Sequence, residues 1–333
     1  MILVTGGTGL VGGHLLCELT QHHESVRASF RSEFKKQETK KLFEFYFNTK
    51  AQEYFNKIQW VRADILSLSD LNELFDGVSY VYHCAALVSF HKIDFHACMS
   101  ANRQGTANIV NLCLLNKVKK LCYVSSTAAL GFNPNGTTDE TTKWKPGKEV
   151  SGYSISKYSA EKEVWRGTEE GLPVVIVNPC LILGPGNWND SSLSIFKTAS
   201  KGILFYPKGS NAIVDVRDLV SNMIYLMNST ITNKKFLCTG QNVSFFELLS
   251  AIAICFNKRP PRMKIPRLIS LIFAAFSEVF YLFLRKRRGL TIESVYSAYK
   301  TIRYDSRLIS TTTAIPFSPL NDTLLHAIKG RII

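Results

Sequence analysis

The sequence contains no run of twenty consecutive apolar residues, no CxxC pair, no HExxH and no repeated or low-complexity segment. The first absence argues against an ordinary membrane-spanning helix. The second and third remove the commonest zinc signatures, and no metal is expected. The eight cysteines sit mostly in apolar runs such as "KKLCYVSS" and "AIAICF", so they read as reduced core residues of a cytoplasmic protein. Of the seven histidines, His22 and His23 stand at a helix end, and His83 and His91 flank the "CAALVSF" loop, so all four read as structural. "MILVTGG" opens directly on a strand, and no leader peptide is expected ahead of it.

Acidic side chains are scarce as well. Twenty-six Asp and Glu face 40 Lys and Arg, a net charge of +14, which favours an anionic partner. Nucleic acid is not the expected one, because no zinc-finger, homeodomain or RNP-type pattern is present and the basic residues are spread along the chain. With 46% hydrophobic and 20% charged residues over 333 positions, the chain is globular and large enough for a core and a second lobe.

What is there begins with an alternation. "MILVT", "SVRASF", "IQWVRA", "VSYVYHC" and "VKKLCYVSS" read as strands, with helices near 10–21, 67–76 and 97–116 between them. That order predicts an α/β fold, a doubly wound, Rossmann-like parallel sheet covered on both faces. Residues 32–57 form an insertion whose run "RSEFKKQETKK" reads as a solvated face beside the cofactor site, with its helix a lid or packing element. A helix to about 169, the strand "PVVIVNP" and the turn "LGPG" follow. The expected division is 1–178 for the dinucleotide-binding domain and its catalytic residues, and 179–333 for a smaller, interleaved substrate lobe.

Directly after the first strand stands "TGGTGLVGGHLL", in which Gly7, Gly9 and Gly12 satisfy G-x-G-x-x-G and Gly6, Gly9 and Gly12 satisfy the related TGxxGxxG spacing. Glycines here permit a tight turn and close approach of backbone to a pyrophosphate at a helix N-terminus. Thr5, Gly6, Gly7, Thr8, Gly9, Leu10, Val11 and Gly12 are therefore candidate cofactor contacts. The next strand ends "VRASFRS", without the acid that usually bonds the ribose hydroxyls of NAD and with Arg31 at its tip. This favours NADP(H), with NAD(H) as the alternative. Arg27, on the same strand face, is a candidate second contact.

In "SGYSISKYSAEKE", Tyr153 and Lys157 lie four apart, one helical turn. An ammonium beside a phenol favours its ionised form, so Lys157 is expected to lower the pKa of Tyr153 and make it a proton donor for neutral pH.

With "DI" at 64–65, "CAALVSF" at 84–90, "NRQGT" at 102–106 and "YVSSTAALG" at 123–131 between the glycine cradle and YSISK, the chain resembles the extended short-chain dehydrogenase/reductase family. "VRASFR", "NPCLILGPG" and "VDVRD" are most similar to its dihydroflavonol reductase and 3β-hydroxysteroid dehydrogenase branch, within the NAD-dependent epimerase/dehydratase superfamily. The resemblance implies Tyr153 as catalytic acid/base and Lys157 as its electrostatic partner and ribose contact. It implies Thr127 on the substrate oxygen, Ser125 beside the cofactor, Asp64 and Ile65 at the adenine, and Ala85 and Ala86 along the cofactor channel. Asn102 would support the site, and Pro179 and Leu181 would face the nicotinamide.

These readings together describe an NADP-dependent oxidoreductase that reduces a ketone, or oxidises a secondary alcohol, on a relatively apolar small molecule. The alternatives are an NAD-dependent nucleotide-sugar epimerase and a non-catalytic dinucleotide sensor. "LISLIFAAFSEVFYLFL", Leu268–Leu284, followed by "RKRR" at 285–288, reads either as a pocket-lining helix or as an interfacial one meeting anionic lipid, which would place the protein at the membrane periphery. A homodimer is an open alternative to a monomer.

Overall fold

The computed structural model describes residues 1–134, 136–284 and 290–332, the side chains of Ser191 and of 280–284 excepted. The basic run at 285–288 lies outside the described residues. The first half runs β1 (Ile2–Thr5), α1 (Leu10–His22), β2 (Val26–Phe30), α2 (Glu33–Phe47), α3 (Ala51–Asn56), β3 (Ile58–Arg62), α4 (Leu68–Leu74), β4 (Tyr80–His83), α5 (Phe95–Cys98), α6 (Gly105–Leu115), β5 (Lys120–Val124), α7 (Gly152–Glu169) and β6 (Val174–Pro179). A π-helical turn, Met99–Gln104, joins α5 to α6, so the helix expected over 97–116 is one rod with an internal bulge. The second half runs β7 (Leu181–Leu183), β8 (Gly186–Asn187), α8 (Ser194–Ala199), β9 (Phe205–Tyr206), β10 (Ser210–Asp215), α9 (Val216–Asn228), β11 (Lys234–Cys238), β12 (Gln241–Ser244), α10 (Phe245–Cys255), β13 (Met263–Lys264), α11 (Arg267–Leu284), α12 (Ile292–Ala298), α13 (Arg307–Thr313), α14 (Leu320–Lys329) and β14 (Arg331–Ile332).

The expected parallel sheet is present, in the order β11-β6-β5-β4-β1-β2-β3, with every pairing parallel. Its central strands are continuously apolar because helices cover both faces. Alternation along a strand divides the side chains between two cores. Val175 and Val177 of β6 join Val4, Leu15 and Leu219 beneath α1 and α9, while Val174 and Ile176 join Leu3, Ile109 and Val164 beneath α6 and α7. The strand order reverses beside β1, whose neighbours are β2 and β4, and this is where a doubly wound sheet opens a crevice at its carboxyl ends.

The seventh strand, β11, returns from the second half to pair with β6. A smaller sheet, β12-β10-β7, and α8, α10 and α14 enclose a third core around Trp188, Phe196, Ile213 and Leu248. The insertion packs rather than floats. Phe43 of α2 meets Phe55 of α3 edge-on at 5.4 Å, and both are buried against α1. Across the crevice Lys35 pairs with Asp190, and Glu38 accepts from Asn187 Nδ2 at 2.5 Å, so α2 is tied to β8 and the turn after it.

Candidate active site

β1 ends at Thr5 and the chain turns through Gly6 at φ +68°, a conformation that favours glycine. A Cβ on Gly6 would stand 2.7 Å from the Ala85 backbone, and one on Gly12 would stand 2.2 Å from the Gly6 carbonyl oxygen. The turn is held by β2: Gly6 N–H donates to Ser29 Oγ and Gly7 N–H to the Ser29 carbonyl, both at 3.1 Å. α1 then starts at Gly9 with no side-chain cap and no acid in its first turn. Its first amides face a cleft of about 550 Å³. Uncapped amides at the positive end of a helix dipole form an anion site, and the missing Cβ atoms leave backbone alone against it. The cradle therefore fits a dinucleotide pyrophosphate.

The opposite wall carries the chemistry. Ser151 caps α7, accepting from Ser154 N–H, and so directs Tyr153 and Lys157 into the cleft. Trp144 stacks on Tyr158 at 4.3 Å and donates to Ser154 Oγ, which donates to the Ala128 carbonyl at 2.6 Å. This chain fixes the turn after β5 against α7. In that turn Ser126 supplies the hydroxyl bonded to Tyr153.

The electrostatics differ from the sequence expectation. Burial pushes the Tyr153 phenol up to about 12, opposed by the Ser126 hydrogen bond. Lys157 itself is driven down to about 7 by burial, opposed by the charge of Glu161. Its Nζ donates to Tyr123 Oη and to the Val124 carbonyl, each at 2.9 Å, and lies 4.6 Å from the Tyr123 ring centre. The i,i+4 spacing places both groups on one face, but desolvation is the largest influence on each. The result is a neutral phenol, which is the form that donates a proton.

The cleft is lined by Gly6, Thr8, Gly9, Leu10, Val11, Gly12, Arg31, Ile65, Ala85, Ala86, Ser125, Tyr153 and Lys157. The remaining candidates lie behind or beside it. Thr5 Oγ1 pairs with His83 Nδ1 at 2.6 Å, and Gly7 faces Ala28 and Leu16. Asn102, in the π-helical turn, binds both the amide and the carbonyl of Leu87 and donates to Ser156 Oγ at 2.8 Å, tying the loop after β4 to α7. Asp64 sits at the rim, 3.7 Å from Arg31. Thr127 shares a side-chain hydrogen bond with Tyr304. Pro179 is buried at the end of β6, opposite Cys238. Leu181 packs on the second-lobe core, because alternation along β7 sends Ile182 to the cleft instead. Arg27 does not reach the cleft: its guanidinium donates to the carbonyls of Glu73, Leu74 and Asp76 at the end of α4.

Two further groups bear on the site. Glu161, buried one turn beyond Lys157, accepts from Ser125 Oγ at 2.7 Å and from Asn178 Nδ2 at 2.8 Å. Its signal in the sequence is the extended spacing Tyr153, Lys157, Glu161, one helix face over two turns. His83 stacks on Tyr123 and bonds Thr5 and Thr106, and burial holds its imidazole neutral, with a pKa of about 3. It locks β1, β4 and α6 beneath the cradle, the structural role its sequence position predicts.

A glycine cradle at the sheet's reversal, facing a Tyr and Lys pair across one cleft, defines an NAD(P)-dependent oxidoreductase of the extended short-chain dehydrogenase/reductase type. Residues 2–237 match the NAD dependent epimerase/dehydratase family, and the chain belongs to that family. Among its relatives are sterol demethylase protein B of Methylococcus capsulatus (strain ATCC 33009 / NCIMB 11132 / Bath), 26% identical over 79% of this chain and 77% of that protein, and anthocyanidin reductase of Arabidopsis thaliana, 29% identical over 74% and 77%. The crystal structure of gox2253 superposes with a TM-score of 0.78 at 26% identity, covering 99% of this chain and 97% of that one. UDP-glucuronic acid 4-epimerase from Bacillus cereus, in complex with UDP-glucuronic acid and NAD, shares the fold with a TM-score of 0.76 at 19% identity, over 99% and 98% of the chains.

Proposed function

We propose that the protein reduces a ketone to a secondary alcohol, or runs the reverse oxidation, on a relatively apolar small molecule with NADP(H) as redox partner. The observation that carries this reading is the pair of buried groups, Tyr153 and Lys157, lining the same cleft as the glycine cradle, with the phenol held neutral by burial. A bound nicotinamide would supply or accept the hydride, its pyrophosphate held at Gly6, Thr8 and Gly9 to Gly12. Tyr153 Oη gives its proton to the carbonyl oxygen as that oxygen gains charge, and Ser126 orients the oxygen. Lys157, within the same buried cluster, stabilises the phenolate left behind, and Glu161 favours the charged form of that lysine. Thr127, the hydroxyl chosen from the sequence, shares a side-chain hydrogen bond with Tyr304, which supports Ser126 as the orienting hydroxyl. Arg31 lines the cleft at the end of β2 and would meet a 2′-phosphate.

Relatives that bear reductase and sterol-enzyme names support an apolar carbonyl substrate. The rival reading is nucleotide-sugar epimerisation, which uses the same Tyr and Lys with a cofactor that stays bound. The test is a screen of ketones, sterol-like alcohols and UDP-sugars with purified protein, following NADPH absorbance and cofactor release. Multiple turnover of a ketone with freely exchanging NADPH is the expected result. Interconversion of UDP-sugars with retained NAD would overturn it.

A further inference from the structure

α11 is built inside out. Its stripe toward the protein carries Ser270, Ala274 and Glu278: Ser270 Oγ pairs with Tyr299 Oη at 2.7 Å, Ala274 is fully buried, and Glu278 accepts from the Ile292 amide at 3.0 Å, capping α12. Its stripe toward solvent carries Leu268, Ile272, Phe273, Phe276 and Val279, exposed by 70%, 50%, 62%, 72% and 53%. These positions recur at three- and four-residue intervals and form one continuous apolar face. Leu204, Phe205 and Met263, on the β9–β13 ribbon, add to the exposed apolar surface near the start of the helix. An apolar patch of this size on a folded chain marks a binding surface.

The charge around the start of the helix identifies the occupant. Lys258, Arg259, Arg262 and Lys264 precede the helix and Arg267 opens it; all five are exposed, while no Asp or Glu occurs from 258 to 277. Glu149, brought in from the loop before α7, pairs with Arg267, and the other four cations have no acid in their own segment. An apolar helix face flanked by cations matches an anionic bilayer, where the rings enter the acyl boundary and the cations meet headgroup phosphates. Among the described residues no helix is long and apolar enough to cross a membrane, so the helix would lie in the interface.

We infer that the exposed face of α11, with Met263, Leu204 and the basic residues 258–267, docks the protein on an anionic phospholipid surface. This inference is independent of the substrate reading. The docked face also adjoins the active site, since α11 packs on α12 and Glu293 of α12 accepts from the Gly152 amide, next to Tyr153.

The test is cosedimentation of the full chain with extruded vesicles of phosphatidylcholine alone or with about 30 mol % phosphatidylserine, at low and high salt. The wild type should bind the serine-containing vesicles at least about tenfold better than the neutral ones, and release in high salt. Phe273→Asp with Phe276→Asp should lose at least about tenfold of that binding, and Arg262→Glu with Lys264→Glu several-fold. Neither pair lines the cleft, so an unchanged NADPH titration and circular dichroism spectrum establish that the variants fold. Failure of the wild type to bind, or equal binding by the Phe pair, overturns the inference. A dimer seen by light scattering that the Phe pair breaks, with no vesicle binding by the wild type, assigns the face to a second copy of the chain and also overturns it.

Discussion

Lys157 is a buried amine beside the reacting atoms, and its removal should leave stability unharmed or raised at low pH while abolishing turnover. Burial moves its pKa from an ordinary 10.5 to about 7. That shift corresponds to a destabilisation on the order of 5 kcal/mol at any pH below about 7, where the amine is charged in both folded and unfolded chains. Lys157→Met keeps the length of the side chain and removes the charge. It also leaves two acceptors, Tyr123 Oη and the Val124 carbonyl, without their donor, which costs about 1 to 3 kcal/mol each. The expected net change near pH 6 therefore runs from about neutral to a gain of about 3 kcal/mol. The sign follows from proton counting. Above the folded pKa the native amine is neutral while the unfolded one stays protonated, so wild-type stability rises with pH by up to about 1.4 kcal/mol per unit toward the unfolded pKa. The advantage of Lys157→Met should therefore shrink steadily above about pH 7 and be near zero or reversed by about pH 9. Urea unfolding followed by circular dichroism at matched ionic strength measures it. A stability difference that does not change between about pH 6 and pH 9 would refute a desolvated amine at this site.

The remaining expectations concern the chemistry. Tyr153→Phe should retain fold and NADPH affinity while turnover falls about a hundredfold or more, read by stopped-flow NADPH oxidation with a reactive diketone. Ser126→Ala should lower kcat by at least about tenfold, whereas Thr127→Val, which breaks a bond to Tyr304 rather than to Tyr153, should leave most of kcat intact. The reverse ranking would restore Thr127 to the substrate oxygen. Arg31→Ala should weaken NADPH by about 1.5 to 3 kcal/mol and leave NADH nearly unchanged in fluorescence titrations. Equal losses for both cofactors would remove Arg31 from the 2′-phosphate.

Much of the fold was legible because each strand of the first half is a short apolar run closed by turn residues and followed by a helix. The glycine spacing could be read in the same way: Gly6 and Gly12 leave no room for a Cβ, a constraint that leaves its mark directly in the sequence. Individual directions were harder. Within "SSTAA" three hydroxyls follow one another at the end of β5, and which one meets Tyr153 depends on a turn held by Ser154 and Asn178 from elsewhere in the chain. Arg27 reads only as a candidate second contact beside Arg31, and the carbonyl ends of α4 that hold it instead are brought within reach by the tertiary fold. The seventh strand of the sheet, "KKFLC", follows a long excursion through the second lobe, and nothing local marks its return to β6.

The same division explains the electrostatic correction at Tyr153. Spacing of four along a helix is a local fact, and it does place Tyr153 and Lys157 on one face. The pKa of each depends on how much water the folded sheet removes from around it, and β5 seals Lys157 against Tyr123 on the side a helix diagram leaves open. Burial raises a phenol and lowers an amine, so two groups expected to assist each other's ionisation are both held toward neutrality. Such a pair resists charge separation until negative charge appears on the Tyr153 oxygen. Proton transfer to a substrate creates that charge, and the protonated lysine then gains a second anionic neighbour besides Glu161. The arrangement thus favours the state in which the proton has moved, which is the condition for a buried lysine to accelerate the step rather than simply bind.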